Sequence, residues 1–449
     1  MNYKKIHLVG IGGISMSALA EYLIDQGIKI TGSDRQTTEI TKKLELLGAD
    51  ISNEHKADNI IDQDLVIRTS AIHDDNAEII KAREKGIKIL ERAEAWGEIM
   101  SSYKNVICVS GTHGKTTTTS MISHICVENE TDPTIMVGSY LDLIKGSLRL
   151  GEKDFFIAES CEYCNSFLSF KPTVAVINNI EADHLDFFKD LDDIICSFRK
   201  FANSVPENGY VIYNIDDENV CECVSLVDKN KISFGLDSTA DIYPENLKNK
   251  KGYFSFTAMK NGEKIEDVKL SVPGKHNLYN SLASIATAVA LDLDAQKTKK
   301  ALGEFYGSAR RFQRKGEYQG AIIVDDYAHH PTEIKTTLEN ANQMGFDRVI
   351  CIFQSHTYTR TNALLPEFID ALKLCDHFVS AEIYSAREVN TTGISGKDIS
   401  DAIDGAVFFK TFEEIEEYIK KIARKGDLII TMGAGDVVEI GENILKCSV

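Results

Sequence analysis

The feature that most constrains the fold of this 449-residue chain is a repeated alternation of apolar runs with helical patterns. Short β-branched runs predict strands, and the amphipathic segments between them predict helices. Strands and helices that alternate in this way favour an α/β architecture with mainly parallel sheets. In the first section the predicted strands are Ile6–Ile11, Ile28–Thr31, Leu65–Thr69 and Ile87–Leu90, and the predicted helices are Ser15–Asp25, Glu39–Leu47 and Ala77–Lys85.

The chain is too long for a single hydrophobic core, and two polar stretches divide it. A short one near Ser101 precedes a new strand, and a basic one, Gly307–Gly316, is predicted to be a linker. We therefore predict domains at residues 1–103, 104–309 and 310–449. The middle section contains predicted strands, antiparallel β ribbons and a helix: Val106–Val109, Phe155–Ala158, Thr173–Ile177, ribbons within Asp237–Val272, and the helix after His276. The last section repeats the alternation, with strands Ala321–Val324, Val349–Phe353, Phe378–Ala381 and Leu428–Thr431 and helices Ile334–Ala341 and Phe412–Arg424.

Charge and composition exclude several classes of function. A formal net charge of −18 argues against a general nucleic-acid binder, which needs a basic face. No apolar run is long enough to cross a bilayer, and the run that ends at Ile11 is too short for a signal-peptide core. Ten cysteines without such a signal predict a cytoplasmic protein with mostly buried thiols. The chain has one C-x-x-C pair, Cys161–Cys164, and one C-x-C pair, Cys221–Cys223. Together they do not give the usual paired spacing of a zinc site.

A glycine-lysine loop, GTHGKT at residues 111–116, lies between a β-branched strand and a helical pattern. It is a shortened phosphate-binding loop, in which Gly114, Lys115 and Thr116 match the end of the motif and Gly111 supplies the turn. Amides at the start of the helix would hold phosphate oxygens, the lysine would reach the β- and γ-phosphates, and the threonine hydroxyl would ligate Mg²⁺. The alternative is a threonine-rich helix start that caps itself. The order of strand, loop, lysine and helix favours a nucleoside triphosphate.

Two strands after this loop end in side chains that suit a metal and phosphate site. Glu159 ends the apolar run of FIAES, and the next strand is followed by Asn178, Asn179, Asp183 and His184. Ligand sites of parallel sheets lie at such strand ends, and Mg²⁺ takes oxygen ligands. The histidine could instead be structural, and two aspartates could cap the next helix, Asp183 and Asp186.

A second glycine loop opens the chain. Gly10, Gly12 and Gly13 follow the first strand and precede a helix, and Asp34 ends the second strand. This is a partial dinucleotide fingerprint, with Ser15 where the third glycine would stand. Its amides can hold a diphosphate, and its carboxylate can meet a ribose or a base. NAD and a UDP-sugar both satisfy this description.

Seven segments together resemble the Mur ligase family: GIGGISMSALA, GTHGKTTTTSM, NIEADHLD, PGKHNLYNSLA, RRFQ, DDYAHHPTEI and FQSHTYTRT, in that order. The resemblance covers nearly the whole chain. It implies an α/β fold of three domains: a Rossmann-like N-terminal domain, a central P-loop ATPase domain with a mainly parallel sheet and small antiparallel β ribbons, and a Rossmann-like C-terminal domain. It also implies ATP and Mg²⁺ as cofactors.

The resemblance implies roles for residues of the first two domains. A UDP-sugar would bind at Gly10, Gly12, Gly13, Ser15, Asp34 and His73. ATP would bind at Gly111, Thr112, Gly114, Lys115, Thr116 and Thr117, and Mg²⁺ would be held by Thr116, Glu159 and His184. Adenine would be recognised by Asn277 and Asn280, whose amides offer both a donor and an acceptor, although Asn277 could equally cap a helix.

Further roles are implied around the start of the third domain. Arg310 or Arg311 would reach the γ-phosphate, and the catalytic set would be Lys115, Glu159, His184 and Arg311. The two arginines could instead belong to a solvated basic linker. Asp326 would meet the ATP ribose. The incoming amino acid would lie near His329, His356 and Arg360. Several family members carry a carbamylated lysine, and the comparable position here is Arg199, beside Lys200.

The activity that the resemblance implies is ATP-dependent amide formation in peptidoglycan precursor synthesis. The lactyl carboxylate of UDP-N-acetylmuramate would attack the γ-phosphorus of ATP, and the amine of L-alanine would then displace phosphate from the acyl phosphate. Because water would hydrolyse that intermediate, we expect the third domain to close, with the basic linker as hinge. A family member that adds a tripeptide to the same sugar nucleotide, a nicotinamide-dependent dehydrogenase and an ATP-switched binding module are the alternatives. A monomer and a weak homodimer both remain open.

Overall fold

The structure is a computed structural model that describes residues 3–69, 71–185, 187–386 and 388–446. Its chain divides into two compact units. The first comprises Met1–Tyr243, Lys260–Gly262 and Leu282–Thr298, and the second comprises Pro244–Met259, Glu263–Ser281 and Lys299–Val449. Within the described residues, no helix is long and apolar enough to cross a lipid bilayer.

The first sheet of unit 1 has five parallel strands in the order β3-β2-β1-β4-β5. Parallel neighbours require crossover connections, and helices supply them here. The predicted strands and helices of this section are present within a few residues, while β3 and α4 were not predicted. The elements are β1 Lys5–Val9, α1 Ile14–Asp25, β2 Lys29–Ser33, α2 Glu39–Leu46, β3 Asp50–Ser52, a 3₁₀ turn Ala57–Asn59, β4 Leu65–Arg68, α3 Ala77–Glu84, β5 Lys88–Glu91 and α4 Arg92–Met100.

The second sheet of unit 1 is built around β6, the strand that leads into the glycine-lysine loop. Its order within this unit is β12-β11-β10-β6-β9-β7-β8, and only β8 runs antiparallel to its neighbour. The elements are β6 Asn105–Ser110, α5 Lys115–Glu128, β7 Thr134–Leu141, a 3₁₀ turn Asp142–Ile144, β8 Gly146–Arg149, β9 Phe155–Glu159, a 3₁₀ segment Tyr163–Ser169, β10 Val174–Ile177, α6 Leu191–Asn203, β11 Tyr210–Asn214, α7 Glu218–Ser225 and β12 Asn230–Phe234.

Helix α4 joins the two sheets of unit 1 through buried aromatic packing. The Trp96 ring lies edge-on to Tyr22 of α1 and to Phe156 of β9, with ring centroids 5.7 and 5.8 Å apart. A side chain at the next position would be impossible, because a Cβ on Gly97 would lie 2.0 Å from the carbonyl oxygen of Ser169. The glycine therefore permits the close approach of α4 to the 3₁₀ segment that follows Glu159.

Three strands and two helices precede the third sheet: β13 Ile242–Lys250, β14 Tyr253–Lys260, β15 Glu263–Pro273, α8 Lys275–Ala290 and α9 Ala295–Gly303. Two-residue turns join the strands, and both residues of each turn have positive φ, at Lys251–Gly252 and Asn261–Gly262. Turns of this kind match the twist of antiparallel hairpins. The predicted antiparallel ribbons are therefore confirmed.

The third sheet lies in unit 2 in the order β16-β17-β21-β18-β19-β20, and only β16 is antiparallel. Both faces are covered by buried apolar side chains, as a parallel sheet requires. The elements are β16 Gln313–Tyr318, β17 Ala321–Asp326, α10 Pro331–Gln343, β18 Arg348–Phe353, α11 Tyr358–Ala363, α12 Leu365–Leu372, β19 His377–Ser380, α13 Gly396–Ser400, β20 Val407–Phe408, α14 Phe412–Ile422, β21 Asp427–Met432 and α15 Val438–Lys446.

The prediction of a linker at Gly307–Gly316 is wrong from Gln313 onward, where the chain forms edge strand β16. A strand at a sheet edge can be polar on both faces, so its composition imitates that of a loop. Lys315 donates to Glu442 of α15, and the ladder with β17 is shifted between Arg314 and Gly316.

Candidate active site

The carboxyl ends of three adjacent parallel strands meet at the glycine-lysine loop. The loop follows β6, Glu159 is the last residue of β9, and Asn178 follows β10. In the registers of these strands Val109 pairs with Glu159, and Ser110 pairs with Ile177. The fold thus brings together the loop and the two strand ends that the sequence identified.

Two glycines and one asparagine set the shape of the loop. Gly111 has φ +136°, and a Cβ there would lie 3.1 Å from the amide nitrogen of Asn179. Gly114 is left-handed (φ +80°) and caps α5. The Asn179 side chain accepts from the amide of His113 at 2.7 Å and donates to its carbonyl at 3.2 Å. The first turn of α5 therefore follows a loop that is held in one conformation. The amides of this turn have no acceptor within the helix.

Lys115 lies in this turn, beside an acid that sequence reasoning missed. Its ammonium donates to the carbonyls of Gly111 and Thr112 at 2.6 and 3.0 Å and to Glu162 at 3.1 Å. The Glu162 side chain is only 3% exposed. Burial lowers the pKa of Lys115, but the nearby acidic groups, Glu162 foremost among them, together more than offset this, so the pKa lies above its ordinary value. The sequence feature that could have identified Glu162 is its position three residues after Glu159, close to the end of the same strand.

Thr116 and Glu159 form the oxygen pair expected for Mg²⁺. The Thr116 hydroxyl donates to Glu159 Oε2 at 2.9 Å, and the amide of Gly138 donates to the same oxygen at 2.9 Å. Within the described ranges no group of three or more His, Cys, Asp or Glu side chains forms a metal cage. A hydroxyl and one carboxylate fit Mg²⁺ that keeps waters and takes its other ligands from phosphates.

His184 lies beside the Lys115–Glu162 pair. It has φ +54°, its Nε2 is 3.9 Å from Glu162 Oε1, and its ring packs on Tyr163 with centroids 4.7 Å apart. The alternative role of Asp183 as a helix cap is excluded, because Asp190 caps α6 by accepting from the amide of Asp193. Asp183 instead accepts from the amide of His184 at 2.7 Å. Asp186 lies outside the described residues.

The comparable position for a carbamylated lysine, Arg199, is tied to α7. Its guanidinium donates to the carbonyls of Cys223 and Glu222, both at 3.1 Å. The described cysteines are free thiols, and both Cys161 and Cys164 are exposed.

In the first sheet, the glycine loop of residues 10–13 is held by the end of β2. The Ser33 carbonyl accepts from the amides of Gly10 and Ile11 at 2.8 and 3.1 Å. Asp34 Oδ2 accepts from the amide of Gly12 at 2.9 Å, and a Cβ on Gly12 would lie 2.8 Å from that oxygen. The first-turn amides of α1, including that of Ser15, have no acceptor within the helix, and their binding of an anion stays a prediction. His73 is exposed after β4.

In unit 2, Asp326 ends β17 as a buried carboxylate. It accepts from the amides of Phe312 and Ala328 at 2.8 and 2.9 Å. Burial raises its pKa to about 6, opposed in part by the charge of Arg311. The contact of Asp326 with the ATP ribose stays a prediction.

The raised pKa of Asp326 predicts a pH dependence of stability. The folded carboxyl holds its proton up to about pH 6, whereas the ordinary pKa of an aspartic acid side chain is 3.8. The folded state therefore binds more protons between these values, and the free energy of unfolding falls as pH rises through them. The free energy of unfolding of Asp326→Asn relative to that of the wild type, measured by urea titration, should therefore rise by about 2 kcal/mol between pH 4 and pH 7. Asp370→Asn, at an exposed position, is the control, and an unchanged difference between Asp326→Asn and the wild type would contradict the assignment.

Arg310 and Arg311 have different surroundings. Arg310 donates to Asp325 at 2.9 Å and to the carbonyls of Gly433 and Gly435 at 2.7 and 3.0 Å. Asp325 is completely buried. Arg311 lies over the Tyr327 ring at 5.4 Å and is 3.9 Å from Glu333. Every nitrogen of the Arg310 guanidinium thus donates a hydrogen bond within the protein, whereas the described contacts of Arg311 are weaker.

Of the three residues predicted near the amino acid, His329 follows β17, His356 follows β18, and Arg360 lies in α11. The rings of His329 and His356 are 6.1 Å apart, and the His356 ring stacks on Tyr384 at 5.6 Å. Burial lowers the pKa of His329 to about 4 and also lowers that of His356, and the charge of Arg360 contributes to both shifts. Both imidazoles are therefore neutral at physiological pH.

The two asparagines of α8 are buried and joined to each other. Asn277 donates to the carbonyl of Pro273 at 2.7 Å, and Asn280 donates to Asn277 Oδ1 at 3.1 Å. The first of these bonds joins α8 to Pro273, which precedes the helix. A cap would instead accept from a backbone amide, so helix capping by Asn277 and adenine recognition by both residues stay predictions.

These features define an α/β nucleotide-binding protein with a phosphate-binding loop at the carboxyl edge of a mainly parallel sheet. Family models match three parts of the chain: the Mur ligase family catalytic domain at residues 5–104, the Mur ligase middle domain at 109–288, and the Mur ligase glutamate ligase domain at 310–435. The chain belongs to the Mur ligase family and is an ATP-dependent ligase. The predicted family, fold class and type of enzyme are confirmed.

Curated relatives that match over nearly the whole chain share one name, that of an amino-acid ligase. The UDP-N-acetylmuramate–L-alanine ligases of Agathobacter rectalis and Acetivibrio thermocellus are 50% and 48% identical to this chain. The first alignment covers 98% of this chain and 97% of the relative, and the second covers 99% and 96%. The solved UDP-N-acetylmuramate–alanine ligase of Thermotoga maritima is 31% identical, with a TM-score of 0.82 over 99% of each chain. The alternative of a nicotinamide-dependent dehydrogenase is not supported.

Proposed function

We propose that this ligase joins L-alanine to the lactyl carboxylate of UDP-N-acetylmuramate at the expense of ATP, in the cytoplasm, as a step of peptidoglycan precursor synthesis. The observation that carries the proposal is the arrangement of Lys115, Thr116 and Glu159 at one strand edge, in a chain whose full-length relatives bear that activity in their names. We retain the domain boundaries at 103/104 and 309/310.

The first chemical step would activate the acid. A carboxylate is a poor acyl electrophile because its charge repels nucleophiles and oxide is a poor leaving group. The lactyl carboxylate oxygen attacks the γ-phosphorus of ATP, the bond to the β–γ bridging oxygen breaks, and ADP leaves. Lys115 and the first-turn amides of α5 neutralise charge on the β- and γ-phosphates. Glu162 keeps Lys115 protonated and directed into the loop.

The second step would form the amide. The neutral amine of L-alanine attacks the acyl carbonyl, phosphate leaves, and the ammonium proton is lost to water or a neighbouring base. His329 and His356 are neutral, so either can accept a hydrogen bond from an ammonium or amine. Arg360 would pair with the carboxylate of the amino acid.

Thr116 and Glu159, with His184 nearby, would hold Mg²⁺, which when bound screens phosphate charge. No covalent enzyme nucleophile is required, so the contribution of the protein is mainly positioning and electrostatic stabilisation. Asp326 would accept a hydrogen bond from the ATP ribose, and Asn277 and Asn280 would face adenine.

The two adjacent arginines should behave differently when removed. Arg310→Ala leaves the buried Asp325 without its cation and should lower the free energy of unfolding by about 3 kcal/mol. Arg311→Ala should change stability by less than about 1 kcal/mol. It should nevertheless reduce turnover about tenfold, since it removes γ-phosphate contacts. Each variant is the other's control in paired denaturation and rate measurements, and an Arg311→Ala enzyme with normal turnover would contradict its role.

A single assay tests the function against its rivals. Purified protein is mixed with ATP, UDP-N-acetylmuramate and one of several acceptors: L-alanine, glycine, L-serine or a peptidoglycan tripeptide. Phosphate release and the new amide are followed together. Alanine-dependent formation of both products is expected. Tripeptide-dependent products would instead identify the recycling activity, and ATP binding without acceptor-stimulated hydrolysis would identify a binding module.

A further inference from the structure

A buried carboxylate of a helix that packs against the first sheet lies outside the predicted sites. Glu78, at the start of α3, is completely buried and accepts hydrogen bonds from Ser33 at 2.7 Å and from Asn59 at 2.5 Å. His7 and His55 approach the same carboxylate at 3.3 and 3.2 Å. We call these five residues the Glu78 cluster. Its members come from β1, β2, the 3₁₀ turn, the segment after β3, and α3.

The cluster is a network of charge and hydrogen bonds without metal-site geometry. Over the described part of the chain, no His, Cys, Asp and Glu group of three or more is arranged to hold a metal. Burial raises the pKa of Glu78, but hydrogen bonds from His7 and Asn59 outweigh it, and the pKa lies below its ordinary value. A buried charge is costly unless several partners stabilise it, so a function beyond packing is expected at this position.

One member of the cluster also holds the glycine loop. The Ser33 side chain donates to Glu78 and lies 2.8 Å from His55 Nδ1, while its carbonyl accepts from the amides of Gly10 and Ile11. The next residue, Asp34, accepts from the amide of Gly12. Every described amide from Gly10 to Gly12 is thus bonded to the Ser33–Asp34 dipeptide, whose own anchor is Glu78.

We propose that Glu78 is a positioning residue for the sugar-nucleotide site: it fixes Ser33 and thereby sets the glycine loop and Asp34 for the diphosphate and ribose. The proposal rests on the proposed function, because it takes UDP-N-acetylmuramate as the ligand of this loop. Glu78 itself touches no substrate. It acts through the end of β2, so its loss should weaken the binding of the sugar nucleotide and leave ATP binding at the separate glycine-lysine loop unchanged.

The test uses calorimetric titrations of the full chain with UDP-N-acetylmuramate and, separately, with an ATP analogue. Glu78→Gln keeps the shape of the side chain but removes its charge, and Ser33→Ala removes only the connecting hydroxyl. Each should raise the dissociation constant for the sugar nucleotide about threefold to tenfold, the value of one hydrogen bond. The double variant should bind the sugar nucleotide about as tightly as the more weakly binding single variant. The two losses should not add, because both changes break the same contact between Glu78 and Ser33.

The matched control is Glu84→Gln, the same change at an exposed position of the same helix. Sugar-nucleotide affinities within twofold of wild type in both single variants would overturn the inference, as would a parallel loss of ATP affinity. If Glu78→Gln does not fold, Ser33→Ala alone decides between these results. A wild-type chain that binds no UDP-N-acetylmuramate refutes the proposed function, and with it the inference. Wild-type binding with equal binding by the variants refutes the inference alone.

Discussion

Replacement of Lys115 with alanine should reduce alanine-dependent phosphate release on the order of a thousandfold. We propose that its ammonium is the cation that meets the β- and γ-phosphates; it lies 3.1 Å from Glu162 and 2.6 Å from the Gly111 carbonyl. The loss should fall mainly on kcat, because the interaction strengthens as charge develops on the transferred phosphoryl group. The measurement is steady-state phosphate release at saturating substrates.

Loss of stability must be separated from loss of catalysis in this variant. Removing Lys115 leaves Glu162 buried without its cation, which should cost about 3–5 kcal/mol of folding stability. Lys115→Ala combined with Glu162→Gln should recover most of that stability and none of the activity. Lys104→Ala, at an exposed residue before β6, is the control for a lost lysine. Wild-type phosphate release by the double variant would remove Lys115 from the mechanism.

Replacement of Glu159 with glutamine should lower turnover on the order of a few hundredfold and raise the Mg²⁺ concentration needed for half-maximal rate. The fold should survive, because both the Thr116 hydroxyl and the Gly138 amide donate to one oxygen of Glu159, and the amide oxygen of glutamine can accept both. The change therefore isolates the negative charge. Magnesium titrations of the rate provide the measurement.

Glu152→Gln is the matched control, since this residue is exposed and precedes the same strand. It should leave both the rate and the magnesium dependence as in the wild type. A Glu159→Gln enzyme with a reduced rate but an unaltered magnesium requirement would show that Glu159 acts by shaping the loop and not by binding the metal.

Local patterns located most of the elements that carry the site. The run before Gly111 predicted β6, the threonine-rich segment predicted α5, and FIAES predicted a strand that ends at Glu159. These predictions succeeded because periodicity, β-branching and glycine turns act over a few residues. The linker prediction failed at Gln313 because polarity alone does not distinguish an exposed edge strand from a loop. The cap of α6 is Asp190 and not Asp183, the alternative considered for that role, because the backbone at the start of the helix decides which carboxylate can accept from a first-turn amide.

The sequence by itself determined the α/β alternation, the position of both glycine loops and the family of ligases, because each depends on short segments in a fixed order. Only the tertiary structure decided which side chains meet. Lys115 pairs with Glu162, Arg310 is committed to Asp325 and the Gly433 segment, and Glu78 reaches Ser33. These partners are separated along the chain and come together through the order of strands in each sheet, which no local pattern encodes.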